Sequence, residues 1–570
     1  MYQQVKMKRI QKWGKRLLKL MLCLLVLVLF MEWWLHIPPP TISDTSAWNK
    51  KRTIVGKNHY TLDNNWLRKN KQGLWEAYIE GAPFERGAIL GNLAQELIVQ
   101  QEVYFVAQIK AIIPSNAFLY LLRYMIGFFN RHLDHYVPIE YQQEIYGETH
   151  FCSNEFKSIG SNYERILNYH AAHDIGHALS DYAVVGCTAF AGWNNKSTDS
   201  SLIIGRNFDF YVGDDFAKDK MILFIAPEKG YKMASITWGG FMGVVSGMNE
   251  KGLTVTLNAA KSGIPSSAKT PISIVARQIL QYAKNIQEAY LIAKKFDTFV
   301  SESILIGSAE DGQTAIIEKS VDTTALYYSD SSLLICSNHY QGTAFDNDKD
   351  NLHNIASTAS DYRQRRTLEL IQSSGPLNYN SAATILRDRK GIGAINIGLG
   401  NEKAVNQLQG HHAVIFKPKQ RLMWVSTAPY QLGAFVAYDL NKVFAKQHSP
   451  LRSLATDSLM ILPDSFIKDS RFNNYKVFRQ LKKEINKTIR QGEFSKKTII
   501  IAENIVDLNP YYYQAHELAG RFYQASKHYK KAINAYKNAL NLEVATQAER
   551  TEIQHNLEAC KTENRKLHAK

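Results

Sequence analysis

Two runs of apolar residues decide how this chain of 570 residues is read: Val184-Val-Gly-Cys187-Thr-Ala-Phe-Ala-Gly-Trp-Asn194 and Leu202-Ile-Ile-Gly-Arg206-Asn-Phe-Asp209-Phe. The polar stretch Asn195-Lys-Ser-Thr-Asp199 lies between them. Short apolar runs around a polar turn predict an antiparallel hairpin. A turn centred near Ser197 places Asn207 opposite Cys187, with Arg206 and Asp209 within a residue or two of the thiol. A guanidinium beside a thiol favours the thiolate, the reactive form. By itself the hairpin fits a buried structural cysteine equally well.

Outward from the hairpin, β-rich runs broken by Gly, Asn and Asp cover Val184 to Leu257. A helical period returns over residues 271–297. Further strands are expected at Ser303–Ile306, Thr314–Glu318, Leu333–Ser337, Ala413–Lys417 and Leu422–Ser426, with a helix near Tyr362–Gln372. Residues 66–182 read as mostly helical, because apolar residues recur at spacings of three and four. Ala117–Phe129 is very apolar but too short to cross a bilayer, so a core helix is expected, one that could also accommodate an acyl chain. Strand groups alternating with helix pairs suggest stacked sheets covered by helices.

The motifs around the hairpin resemble a known family. Gly186-Cys187-Thr followed by Gly205-Arg206-Asn207-x-Asp209 is similar to the nucleophile region of the penicillin acyltransferase-type (acyl-CoA:6-aminopenicillanate acyltransferase-like) family. That family belongs to the N-terminal nucleophile hydrolase superfamily, with choloylglycine hydrolases and acid-ceramidase-type amidases as relatives. Gly81-x-Pro83-x-Glu85-x-Gly87, Gly247-Met-Asn249-Glu-Lys-Gly252-Leu253 with Asn258, Ser337-Asn338-His339, Ser360-x-x-Arg363 and Leu386-Arg-Asp388 match in order. The likeness covers roughly residues 75–440.

The resemblance implies an α+β fold, an αββα sandwich, and self-cleavage between Gly186 and Cys187. The freed α-amino group of Cys187 would be the base for its own thiol. Asp209 would hold that amine, and Arg206 would bias the thiolate. Asn258 and Asn338 would stabilise the oxyanion. An acyl-Cys187 intermediate, formed from an N-acyl amide or acyl thioester, would pass its acyl group to water or an amine. No cofactor is implied. His170-x-x-His173-x-x-x-His177 departs from the family; its helical spacing offers three imidazoles to a metal, or only polar packing. The five cysteines are odd in number and irregular in spacing, which indicates neither a disulfide framework nor a zinc site.

Net charge is +16, and it is unevenly spread. Residues 1–19 carry seven basic and no acidic side chains, and residues 464–570 carry 20 basic and 12 acidic ones. The remaining middle, at +1, argues against a nucleic-acid partner. Leu20–Met31 is an unbroken apolar run after the basic flank, followed by Trp33, Trp34 and Pro38-Pro39-Pro40. Counted as residues 17–37, it is long enough to span a membrane, and the basic flank would stay cytoplasmic. No small-residue cleavage site follows the core, so a retained anchor and an exported catalytic domain, periplasmic or extracellular, are expected. Beyond about Asn474 the chain is helical, and Gly520, Tyr523, Ala532, Tyr536 and Ala539 follow tetratricopeptide spacing.

The expected organisation is therefore a signal anchor at 1–37, a linker at 38–62, a catalytic domain at 63–445, a linker at 446–475 and tetratricopeptide-like helices at 476–565. The leading expectation for function is an amidohydrolase or acyltransferase acting on a small acylated substrate. The alternative is a catalytically idle domain presenting the tail to a protein partner from the membrane.

Overall fold

The computed structural model describes residues 2–113, 115–171, 174, 186–263, 267–445 and 453–568. The helices used below are α1 (Tyr2–Leu35), α2 (Pro83–Leu93), α3 (Gln95–Ile112), α4 (Asn116–Asn130), α5 (Ile139–Glu148), α6 (Asn162–His170), α7 (Ile272–Tyr282), α8 (Ser360–Ser374) and α9 (Tyr379–Leu386). The C-terminal region adds α10 (Ser470–Gln491), α11 (Lys496–Leu508), α12 (Tyr513–Ala525), α13 (Tyr529–Leu540) and α14 (Gln547–His568).

Among the described residues the strands form one sheet of eleven and one of six. In the smaller sheet Thr188–Gly192 pairs with Leu333–Cys336 on one side and with Ile203–Phe208 on the other. His412–Lys417, Leu422–Ser426 and Phe435–Asp439 complete it. Strand alternation sorts side chains into three cores. Ile222, Phe224, Ile236 and Leu305 of the large sheet meet Ala189, Ile204, Val414 and Phe416 of the small one. On the far side of the large sheet, Leu223, Ile225, Val255 and Ile304 share a core with α2, α5, α6 and α7. Beyond the small sheet, Phe190, Ile203, Ala413 and Trp424 pack with Ile371 of α8 and Ala382 and Leu386 of α9. The layers are helix, sheet, sheet, helix, as expected from the sequence.

Residues 53–62, expected to be a linker, are instead two strands of the large sheet. Asn65–Lys69 and Trp75–Gly81 are also strands, and helix begins only at Pro83. The three-and-four apolar spacing from Leu74 onward spans a strand and the helix after it. In the Gly81-to-Gly87 motif, Pro83 opens α2, and a side chain at Gly87 would lie 1.8 Å from the Glu144 carbonyl oxygen. The glycine lets α2 and α5 cross backbone to backbone. Buried Glu144 is held there by Arg86 at 3.1 Å and Arg277 at 3.3 Å.

The expectation of a core helix at Ala117–Phe129 is corrected. Phe118, Leu121, Met125 and Phe128 form one stripe along α4, and each is about half exposed. The helix meets the end of α1, where Trp34 and Phe128 have ring centroids 5.6 Å apart. Glu32 of α1 accepts hydrogen bonds from Arg123 at 2.7 Å and Tyr124 at 2.8 Å. Within α1, Lys12–Leu35 is long and apolar enough to cross a membrane, and an 18-residue stretch of it has a mean hydropathy of 2.1.

The C-terminal region is helical, and among the described residues 453–469 lead into it along the edge of the small sheet. Ala455 and Ile461 bridge to Tyr438 and Phe435 of the small sheet's last strand, and α10 begins at Ser470. A side chain at Gly520 would lie 2.7 Å from the Tyr536 ring, so the glycine is what lets α12 and α13 close on each other.

Candidate active site

The hairpin forms with a register one residue from the expected one. Thr188 pairs with Asn207, and Ala189 with Arg206. A one-residue slip exchanges the faces of a strand, and here it puts Arg206, rather than Asn207, on the cysteine's side. Arg206 Nη2 lies 3.7 Å from Cys187 Sγ. Asn207 points the other way and donates to the carbonyls of Leu386 and Val405, both at 2.9 Å.

Both Cys187 and Arg206 are fully buried. Burial pushes the Cys187 thiol up to about 11, against the opposing pull of Arg206, so in the intact chain it is protonated at neutral pH. Arg206 is fixed by Ser246 Oγ at 2.6 Å, by the Leu257 carbonyl and by the Phe208 ring 4.3 Å beneath it. Ser246 Oγ in turn bonds His412 Nε2 at 2.9 Å, and His412 Nδ1 lies 2.8 Å from His411 Nδ1.

Asp209 lies at the base of the hairpin, where its carbonyl accepts from the Gly186 N–H at 3.0 Å. Its carboxyl oxygens are buried and have no hydrogen-bond partner among the described residues. Burial raises this carboxyl to about 7, although Arg363 and Arg206 pull the other way.

The two asparagines tie strands and loops together. Asn258 donates both amide hydrogens to main-chain carbonyls, those of Cys336 at 2.9 Å and Ser337 at 3.2 Å. Asn338 donates to the Ala259 carbonyl at 2.9 Å. Its Oδ1 accepts from Arg363 Nη2 at 2.7 Å.

Two residues given no role from sequence come to the Gly186–Cys187 bond. Arg363 Nη1 donates to the Gly186 carbonyl at 2.8 Å and to Thr188 Oγ1 at 2.9 Å. Gln407 Nε2 donates to the same Gly186 oxygen at 2.7 Å. The motif Ser360-x-x-Arg363 pointed to the arginine's neighbourhood; no local pattern marks Gln407.

Of the two readings of the histidine cluster, His170 takes the packing one. His170 is buried, its Nδ1 bonds the Ile166 carbonyl at 2.8 Å, and its Nε2 accepts from the Met242 N–H at 2.9 Å. Both ring nitrogens are thus used by the backbone, and burial lowers the imidazole to about 4. His173 and His177 lie outside the described residues. Among the described residues, all five cysteines are free thiols, and Cys336 is core. A small cavity of about 30 Å³ is walled by Phe105, Tyr169, Phe216, Trp238 and Phe241, by the polar Gln101 and Glu102, and by Phe210, the residue after Asp209.

The comparison with known families returns the same likeness. Residues 193–428 match the family model described as acyl-coenzyme A:6-aminopenicillanic acid acyl-transferase. The match includes Arg206, Asp209, Asn258, Asn338, Arg363 and Gln407; Gly186 and Cys187 precede it. Among curated proteins, the chain is 22% identical to an uncharacterized protein of Archaeoglobus fulgidus over 275 residues, 45% of each chain. It is 21% identical to protein dcd1B of Dictyostelium discoideum over 267 residues, 44% of this chain and 50% of that one. The chain thus spans about half the length of the curated relatives it matches. Among solved structures it is similar to a Caenorhabditis elegans N-acylethanolamine-hydrolyzing acid amidase ortholog, at 16% identity and a TM-score of 0.30 over 41% of this chain and 93% of that one. A mutant of the conjugated bile acid hydrolase from Clostridium perfringens gives 11% identity and a TM-score of 0.31 over 47% of this chain and 95% of that one.

Proposed function

We propose that this protein is a self-processing cysteine amidohydrolase or acyltransferase. The observation that carries the reading is the environment of the Gly186–Cys187 bond: a thiol beside Arg206, a carbonyl oxygen held by side-chain donors, and a buried carboxyl at Asp209 awaiting a partner.

In the first step Cys187 Sγ attacks the Gly186 carbonyl carbon. The S–C bond forms, the C–N bond breaks, and the thiol proton ends on the departing nitrogen. Water then hydrolyses the thioester, leaving a Gly186 carboxylate and a free α-amine on Cys187. That amine is freed beside Asp209, whose carboxyl oxygens have no hydrogen-bond partner among the described residues and would hold it in place as the base for the thiol. In the second reaction the thiolate attacks an acylated substrate, and the acyl group passes to water or an amine. Asn338, with one amide hydrogen still uncommitted, is the better-placed oxyanion donor. Asn258 has to exchange a main-chain bond to take part.

The apolar helix α1 supports a retained anchor with the catalytic domain exported. Away from cytoplasmic acyl thioesters, hydrolysis of an N-acyl amide is the favoured outcome. A second reading, an idle domain that presents the tail to a protein partner, is supported by a groove of about 200 Å³ on the tail, lined by Lys482, Glu517, Arg521 and Glu549.

Intact-mass measurement separates the two. The parent is expected as pieces of 186 and 384 residues, less any removed leader, from a chain of 570, and Cys187→Ala as one chain. An uncut parent without amide cleavage or acyl transfer on a substrate panel would leave only the second reading.

A further inference from the structure

The helical tail reaches the bond proposed to be cut. Gln407 belongs to the loop of residues 398–409, which is wedged between the smaller sheet and the tail. Its side chain is 1% exposed, and Gln409 Nε2 donates to its Oε1 at 2.8 Å, which leaves Nε2 pointing at Gly186. A side-chain carbon at Gly186 would lie 2.2 Å from that Nε2, so the glycine is required for the donor to approach.

The next residue, Leu408, is held by the tail. Its carbonyl accepts from Tyr475 Oη at 3.3 Å and Arg479 Nη1 at 3.2 Å, both on α10. Its side chain lies in the tail's core with Phe472 and Tyr475. Its φ is +52°, a left-handed conformation that a leucine keeps only when its surroundings impose it. Arg479 also bonds Tyr211 Oη at 3.0 Å and forms an ion pair with Asp214, both on the segment that follows Asp209. Farther out, Asn509 exchanges hydrogen bonds with Leu399 at 2.8 and 3.0 Å, and Lys403 pairs with Glu543 at 2.7 Å.

We propose that Gln407 is, with Arg363, an oxyanion donor for the Gly186–Cys187 cut, and that α10 is the element that positions it. The inference rests on the self-processing reading. When Sγ adds to the Gly186 carbonyl carbon, the negative charge develops on the one oxygen that Gln407 and Arg363 already hold. Fixed donors aimed at that atom stabilise the tetrahedral state without reorganising. Tyr475 and Arg479 never touch the reacting atoms; they hold the Leu408 backbone, and through it the amide of Gln407. The tail is then part of the processing machinery as well as a surface.

The test is a time course of precursor cleavage by intact mass, on the full chain made by cell-free synthesis. Gln407→Glu keeps the size of the side chain and removes the donor; cleavage should slow about 10²-fold, the usual loss for one oxyanion donor. Arg479→Leu should slow it about tenfold by the same electrostatic logic applied at one remove, and Arg479→Lys should recover most of the rate. Each variant is also placed in the uncut Cys187→Ala background, where an unchanged melting temperature separates lost chemistry from lost folding. If the parent is never cut, the self-processing reading and this inference fall together. If the parent is cut and Gln407→Glu keeps pace within about threefold, well short of an oxyanion donor's usual loss, the role of Gln407 is overturned alone. If only the arginine variants keep the parental rate, the role of the tail is overturned.

Discussion

The two ends of the chain carry almost the same charge excess and use it on opposite kinds of surface. The seven basic residues at 1–19 precede an apolar helix whose side chains stay uncovered: Leu22, Leu25 and Leu29 are each more than half exposed. The tail, at +8 over residues 464–570, buries its apolar residues, with Phe522 and Tyr536 fully enclosed. Charge alone therefore says little about what a segment binds. What separates the ends is whether the protein itself covers their apolar side chains.

That contrast can be tested from its largest expected effect downward. Phe522→Ala should destabilise the tail by about 3–5 kcal/mol, the usual cost of emptying a buried aromatic site, read by hydrogen exchange of the α12 and α13 amides in urea. Leu25→Ala on α1, in detergent, should change stability by less than about 0.5 kcal/mol. Equal effects would erase the distinction.

A smaller effect lies at the joints, whose pH responses have opposite signs. Glu402, enclosed by Tyr512, Tyr513 and Gln514 of the tail, is raised to about 7 by burial and by neighbouring Glu549. A carboxyl raised on folding holds its proton better in the folded state, so the tail joint weakens as pH climbs from about 4.5 toward 7. Glu402→Gln should flatten that dependence. At the other joint, burial pushes Glu164 up, but hydrogen bonds from Ser161, Ile37 and His36 outweigh it and hold it below its usual range. That joint should be firm at neutral pH and weaken as pH falls below the ordinary carboxylate range. Limited proteolysis at residues 36–50 and 453–470, at pH 4, 5.5 and 7.5, reads both trends. A modest change is expected for Arg123→Ala, whose partly exposed pair with Glu32 should contribute about 0.2–1 kcal/mol, measured by hydrogen exchange along α4.

The layered fold was legible because alternating apolar strands announce stacked sheets, and the hairpin carried Cys187, Arg206 and Asp209 as a set. The register was off by one because the turn contains the short helical piece Asn194–Lys196, which shifts its centre. The strands within 53–62 escaped because Thr53, His59 and Thr61 make them polar enough to read as linker, and the first of them, at the sheet edge, is exposed along its whole length. Ala117–Phe129 looked like core because hydropathy records the need for cover, not its source. Gln407 had no signal at all, since the atom it serves lies 221 residues away in the chain.

Glu164 has one more consequence. It accepts from the Ile37 N–H at 3.0 Å and lies 2.9 Å from the His36 ring, while Ile37 is buried in the core on the far side of the large sheet. The two residues that follow α1 are therefore clasped directly by α6, the helix that also supplies Tyr169 to the aromatic cavity. A domain on a supple leash samples a cap of space whose radius grows with the leash. Here the leash has no length. If α1 spans a bilayer, the cavity stands at one fixed altitude above it, and a ligand held in that bilayer has to protrude that far to reach it.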